Sequence, residues 1–157
     1  MKTANKIILE TYKYYAKDPH NRRSVFMNDE GNIKCLYNSP TGSHCAIGRC
    51  LKTKYKKEGL NLKANTEDIS NLEDSYELNI NKMLMPSYRG HIDSLWVALQ
   101  DFHDDSSYWY FGEDLNKEYH RKFEEDLKES EEFPGLTLRG AEKLNHMLNV
   151  TKNKDYE

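Results

Sequence analysis

The sequence predicts an α+β fold, mainly α-helical, with about five helices and one small β-hairpin near residues 24–37. Three observations carry that class. Apolar residues recur at helical spacing in several separate segments. One short alternating stretch is bounded by turn formers on both sides. Eleven Tyr, five Phe and two Trp supply bulky buried area although only 37% of the chain is hydrophobic. The length of 157 residues fits one globular domain, residues 1–150, followed by a polar tail, 151–157, expected to fray.

The first helix is expected over residues 3–17, where Ala4, Ile8, Tyr12 and Tyr15 share a face. Asp18-Pro19 stops it, because the residue before proline is pushed out of the helical region. The hairpin follows, with Ser24-Val25-Phe26-Met27 and Ile33-Lys34-Cys35-Leu36-Tyr37 flanking the turn Asn28-Asp29-Glu30-Gly31. After the turn formers Asn38-Ser39-Pro40-Thr41-Gly42, Ser43 is positioned to cap a second helix from His44 to Lys56. Residues 60–90 read as loop or lid, with Met83-Leu84-Met85 expected inside. The clearest helix spans 92–103, with Ile92, Leu95, Trp96, Leu99 and His103 on one face. A fourth covers about 114–130, with Leu115, Tyr119, Phe123 and Leu127 inward, and Phe133-Pro134-Gly135 breaks it. Thr137 caps the last, with Ala141, Leu144 and Leu148 inward.

Charge and composition narrow the function classes. The formal net charge of −3 argues against a dedicated nucleic-acid binder. The charge is uneven: residues 1–63 carry a balance of +8 and residues 64–157 one of −11. That asymmetry reads either as mutual attraction within one domain or as an electropositive face for an anion. No apolar run is long enough for a membrane span, and no apolar stretch follows Lys2 as a secretory signal requires. A cytoplasmic protein is therefore expected. Three cysteines without a signal point to free thiols.

Three chemistries are open to the distinctive stretch around Cys45. At the start of the expected second helix, unpaired N–H groups and the helix dipole would stabilise a Cys45 thiolate. His103, on the inward face of its helix, is then the candidate base, with Asp104 or Asp105 to orient it and His91 as a second candidate. Zinc is the next idea, since Cys35, His44, Cys45 and Cys50 are the right ligand types. Without a Cys-x-x-Cys spacing, however, no metal site and no cofactor is assigned. Third, Thr41-Gly42-Ser43 could cradle a phosphate, with Arg22, Arg23, Lys34 and Arg49 close in sequence. No Walker lysine supports it. The ligand-binding candidates are thus Arg22, Arg23, Thr41, Ser43 and Arg49. The aromatic run Tyr108-Trp109-Tyr110-Phe111 reads as core packing.

The residues Cys35-Leu-Tyr37, Gly42, Cys45-Ala-Ile-Gly48 and Leu99-Gln100-Asp101-Phe102-His103-Asp104 resemble a family of small phage and bacterial proteins of uncharacterised activity. Its pattern is Cys-x-Tyr-Arg, Gly, Cys-Ala-x-Gly-Cys-Leu, then a Leu-Gln-x-x-His-Asp helix, and the likeness covers roughly residues 20–130. Two positions depart: Arg49 intervenes before Cys50, and Asn38 stands in place of Arg. The resemblance implies a phage accessory protein in the bacterial cytoplasm. It would serve host takeover or counter-defence by binding a host protein or sequestering a small anionic, nucleotide-like ligand. The alternative is a cysteine-dependent hydrolase or transferase using Cys45 and His103 with Asp104. Abundant Tyr also suits a homo-oligomer interface.

Overall fold

The computed structural model describes residues 1–157 except 28, 32, 58–68, 114–126, 154, 155 and 157. Among the described residues there are seven α-helical segments. They are α1 (Ala4–Ala16), α2 (Pro19–Arg22), α3 (Thr53–Lys57), α4 (Ile69–Tyr76), α5 (Ile80–Met83), α6 (Asp93–Asp104) and α7 (Leu138–Lys152).

The expectation of an α+β fold with a β-hairpin is corrected: the fold is helical, and no sheet forms a layer in it. Val25–Met27 and Ile33–Cys35 run antiparallel for three residues each, with Val25 opposite Cys35. A two-stranded ribbon of this length is too small to make an independent layer. It lies instead against α6 as a strap on a helical core.

The three long helices are α1, α6 and α7, and each is in contact with the other two. Thr3 caps α1 by accepting from the Lys6 N–H, and Thr137 caps α7 by accepting from the Gly140 N–H. The buried side of α1 is Ala4, Ile7, Ile8, Thr11 and Tyr15, one stripe wide at helical spacing. From α6 come Leu95, Trp96, Leu99, Gln100, Phe102 and His103. Ile92 is not among them: it is the N-cap residue and is 45% exposed. Trp109 is fully buried, stacks at a tilt on Phe102, and donates its Nε1–H to the Phe102 carbonyl at 2.9 Å. The 108–111 run thus puts its largest ring in the core. Met83, the last residue of α5, and Leu84 after it are buried, and Leu84 bridges Leu51. The last helix runs past Thr151 to Lys152, and Tyr156 beyond it is buried.

The second predicted helix, 44–56, does not form. The Cys45 N–H bonds instead to the Leu36 carbonyl, one residue past the ribbon's second strand. One 3-10 turn, Gly48–Cys50, and the short α3 are what remain of it. Gly48 explains why. A Cβ there would stand 1.9 Å from the Tyr37 carbonyl oxygen, so two backbone segments are pressed together where a helix would need side-chain room. Of the predicted helix 114–130, residues 114–126 lie outside the described ones. Glu129 bridges Thr137, and Ser130 N–H donates to the Leu136 carbonyl, so its expected end is extended backbone.

Gly140 repeats the close approach at the other end of the core. Its Cβ would be 2.0 Å from the Tyr108 carbonyl oxygen. Gly140→Ala should therefore destabilise the protein by about 1–3 kcal/mol, the range of overpacking. The opposite sign would follow from helix propensity alone, because Ala is the better helix former by about 1 kcal/mol. Urea unfolding of the two proteins decides between them.

Candidate functional site

The ribbon, α2 and the 39–43 loop surround an open cleft of about 840 Å³. That is within the usual range for small-molecule sites. Its wall includes His20, Arg22 and Arg23 on one side and Ser39, Thr41, Gly42 and Ser43 on the other. Tyr14, Ser24, Val25 and Leu36 also line it. No carboxylate lies among the described lining residues. In a chain of net charge −3 this is a local reversal of sign.

The two arginines have different tasks. Arg23 is buried and grips the carboxyl end of α6: Nε donates to the His103 carbonyl at 2.6 Å, Nη2 to the Asp104 carbonyl at 2.8 Å and Nη1 to Ser106 Oγ at 3.3 Å. Helix ends leave such carbonyls without partners and carry partial negative charge, so a guanidinium fits there. Burial pulls its pKa down to about 10, against the raising influence of Asp104 and Asp105, which leaves it charged at neutral pH. Arg22 is half-buried, lies over the Tyr14 ring at 4.9 Å and gives one N–H to the Tyr14 carbonyl. A guanidinium has five donors, so Arg22 retains others for a ligand.

The 39–43 loop is closed by the Ser39 N–H on the Ser43 carbonyl and the Gly42 N–H on the Ser39 carbonyl. Gly42 has φ +85°, a left-handed conformation suited to glycine. Within the loop three hydroxyls form a row: Ser39 Oγ to Thr41 Oγ1 at 2.8 Å, and Thr41 Oγ1 to Ser43 Oγ at 3.3 Å. Of the candidates named from sequence, Arg22, Arg23, Thr41 and Ser43 therefore share one cleft. Arg49 is not on its wall. It donates to Thr11 Oγ1 and lies over the rings of Tyr14 and Tyr88. The side chain of Lys34 lies outside the described ones. Sequence reasoning missed His20, Tyr14 and Ser24. The Asp18-Pro19 helix start, which puts His20 beside Arg22, was the available signal for His20.

The thiol group is arranged differently from the expectation. Cys45 is fully buried, does not start an α-helix, and accepts the Gly48 N–H on its sulfur at 3.3 Å. His103 is fully buried with both ring nitrogens engaged. Nδ1 is 2.6 Å from Asp104 Oδ1, and Nε2 accepts the Ser24 N–H at 3.2 Å. These contacts fix one tautomer, with the proton on Nδ1. Burial lowers the pKa of His103, opposed by the Asp104 hydrogen bond. The thiol within mutual reach of His103 and Asp104 is Cys35: sulfur, ring nitrogen and carboxylate oxygen all lie within 4.8 Å of one another. Burial and the neighbouring Cys45 push the Cys35 thiol well up, which keeps it protonated. Cys50 is buried, contacts the Ala46 carbonyl, and is pushed up to about 11 by burial. The other candidate base, His91, is held between the Lys2 and Tyr156 carbonyls at 2.9 and 3.4 Å.

Compared with family models, curated proteins and solved structures, the chain matches none.

Two predictions follow from this geometry. Arg23→Met keeps most of the side-chain volume but removes the cap of α6. It should cost about 2–3 kcal/mol in urea unfolding, because buried carbonyls lose their donors. In the folded protein at about pH 8, iodoacetamide should leave Cys45 and Cys50 unmodified, and unfolding in guanidinium should expose both to alkylation. Peptide mass spectrometry reads this directly. Fast labelling of native Cys45 would contradict the burial described above.

Proposed function

We propose that the protein binds a small phosphate-bearing anion, of nucleotide-like size, in the cleft between α2 and the 39–43 loop. The observation that carries the reading is the composition of the wall: two arginines, a histidine and a row of hydroxyls, with no carboxylate among the described lining residues. Phosphate oxygens accept hydrogen bonds only, so donors without competing acceptor charges are what such a ligand needs. Arg22 supplies the directed charge. Arg23 adds positive potential from a position locked by α6. Ser39, Thr41 and Ser43 offer rotatable hydroxyl donors. Sequestration of such a ligand in a bacterial cytoplasm, as a phage accessory protein would perform it, is the role consistent with the resemblance and with this wall.

The test is calorimetric titration of the protein with ATP and, separately, with inorganic pyrophosphate. Binding should weaken as salt is raised. Arg22→Ala should weaken ATP binding about tenfold, the loss of one charge-assisted hydrogen bond of about 1.5 kcal/mol. Thr41→Val should weaken it less, since a neutral donor is removed. Absence of binding of both probes to the wild-type protein overturns the proposal, as does unchanged affinity in Arg22→Ala.

A further inference from the structure

The anion cleft is larger than a phosphate group needs. Its volume of about 840 Å³ is that of a site for a whole small organic molecule, most of whose surface such a cleft covers. Arg22, Arg23 and the hydroxyls of the 39–43 loop account for the charged end of a ligand. Beyond them the wall includes two rings, Tyr14 and His20, and three aliphatic side chains, Val25, Leu36 and Pro40. The aliphatic ones give phosphate oxygens no hydrogen bond, whereas a flat heterocycle can lie against them.

The two rings differ in what they have left to offer. Tyr14 is already engaged: the guanidinium carbons of Arg22 and Arg49 lie over it at 4.9 and 5.5 Å, and Tyr15 meets it edge to face at 4.9 Å. Its task is to brace Arg22. His20 is exposed, and its ring meets that of Phe111 at 6.4 Å and 82°. In a perpendicular pair the partner covers at most one face of the imidazole, so Phe111 leaves a flat face of His20 open. The backbone beneath it is set in advance. Pro19 opens α2, and Asp18 caps it by accepting from the Asn21 N–H. Phe111 in turn lies 5.6 Å from the guanidinium of Arg23, which is locked onto α6. A ring presented in this way loses less freedom when a ligand covers it than one on an unconstrained loop.

We propose that the cleft takes a nucleotide, its base stacked on the open face of His20 and its phosphate at Arg22 and the hydroxyls of Ser39, Thr41 and Ser43. This ligand class presupposes the anion reading above and goes beyond it: the ligand is a phosphate ester that carries an aromatic base, not a sugar phosphate or an inorganic polyphosphate. Bases stack on aromatic side chains, histidine included, and every base has a π-face to offer. His20 therefore selects for the presence of a base and not for its identity.

The experiment compares AMP with ribose 5-phosphate, which share the sugar and the phosphate and differ in the base. Both are titrated calorimetrically into the full chain, with pyrophosphate as a third probe. AMP should bind about tenfold more tightly than ribose 5-phosphate, the effect of stacking one base. His20→Ala should bring that ratio down to about one. His20→Phe keeps a flat ring and removes both ring nitrogens, so it should hold the ratio at about ten, as stacking requires and a hydrogen bond or a charge does not. Equal affinities of the wild-type protein for AMP and ribose 5-phosphate overturn the proposal, while binding of pyrophosphate in the same series leaves the anion reading standing. A ratio that survives His20→Ala, or one that is lost in His20→Phe, overturns it as well. If none of the three probes binds the wild-type protein, the anion reading and the nucleotide both fall.

Discussion

A single buried guanidinium, that of Arg23, holds the carboxyl end of α6 in place, and the rest of the site depends on it. Its three donors reach two backbone carbonyls and one hydroxyl of the segment 103–106. Its flat faces lie near the rings of Trp109 and Phe111, at 5.9 and 5.6 Å. Taking a cation out of water is costly unless donors are satisfied and negative charge is near. Here the helix end supplies the carbonyls, and Asp104 and Asp105 supply the field. The same contact fixes where the ribbon begins, because Ser24 follows Arg23 directly. Ser24 in turn sets the orientation of the His103 ring through its N–H. The wall of the cleft and the setting of the buried His103 are thus two consequences of one interaction.

Two glycines then decide how closely the peripheral segments approach this frame. Gly48 lets the Tyr37 carbonyl press on the 3-10 turn, and Gly140 lets the Tyr108 carbonyl press on the first turn of α7. In both cases backbone meets backbone, with no side chain between. Such contacts are stiff, since a carbonyl has no rotamer to relax into. They keep Tyr37 buried, with its hydroxyl accepting from Gln100 on α6, and they align Thr137 to bond both the Tyr108 carbonyl and the Ser107 carbonyl. The cleft loop at 39–43 is anchored between Tyr37 and the 3-10 turn for this reason.

The long helices were legible in the sequence because their signals are local. Thr137 reads as a cap, and the stripes Ala4-Ile8-Tyr15 and Leu95-Trp96-Leu99-His103 have the period of a helix. The second predicted helix failed because Cys45 had a stronger claim on its N–H from Leu36, a contact that no window of sequence displays. Ribbon residues were read from turn chemistry, but a ribbon of three residues a side gives no sheet, so the class was read too broadly. At the site, Arg22, Arg23, Thr41 and Ser43 were recognisable from residue type and proximity in the chain. The thiol that lies near His103 was not. A thiol at the start of a helix drew attention to Cys45, whereas the sulfur that meets His103 and Asp104 arrives on the ribbon, from a distant part of the chain.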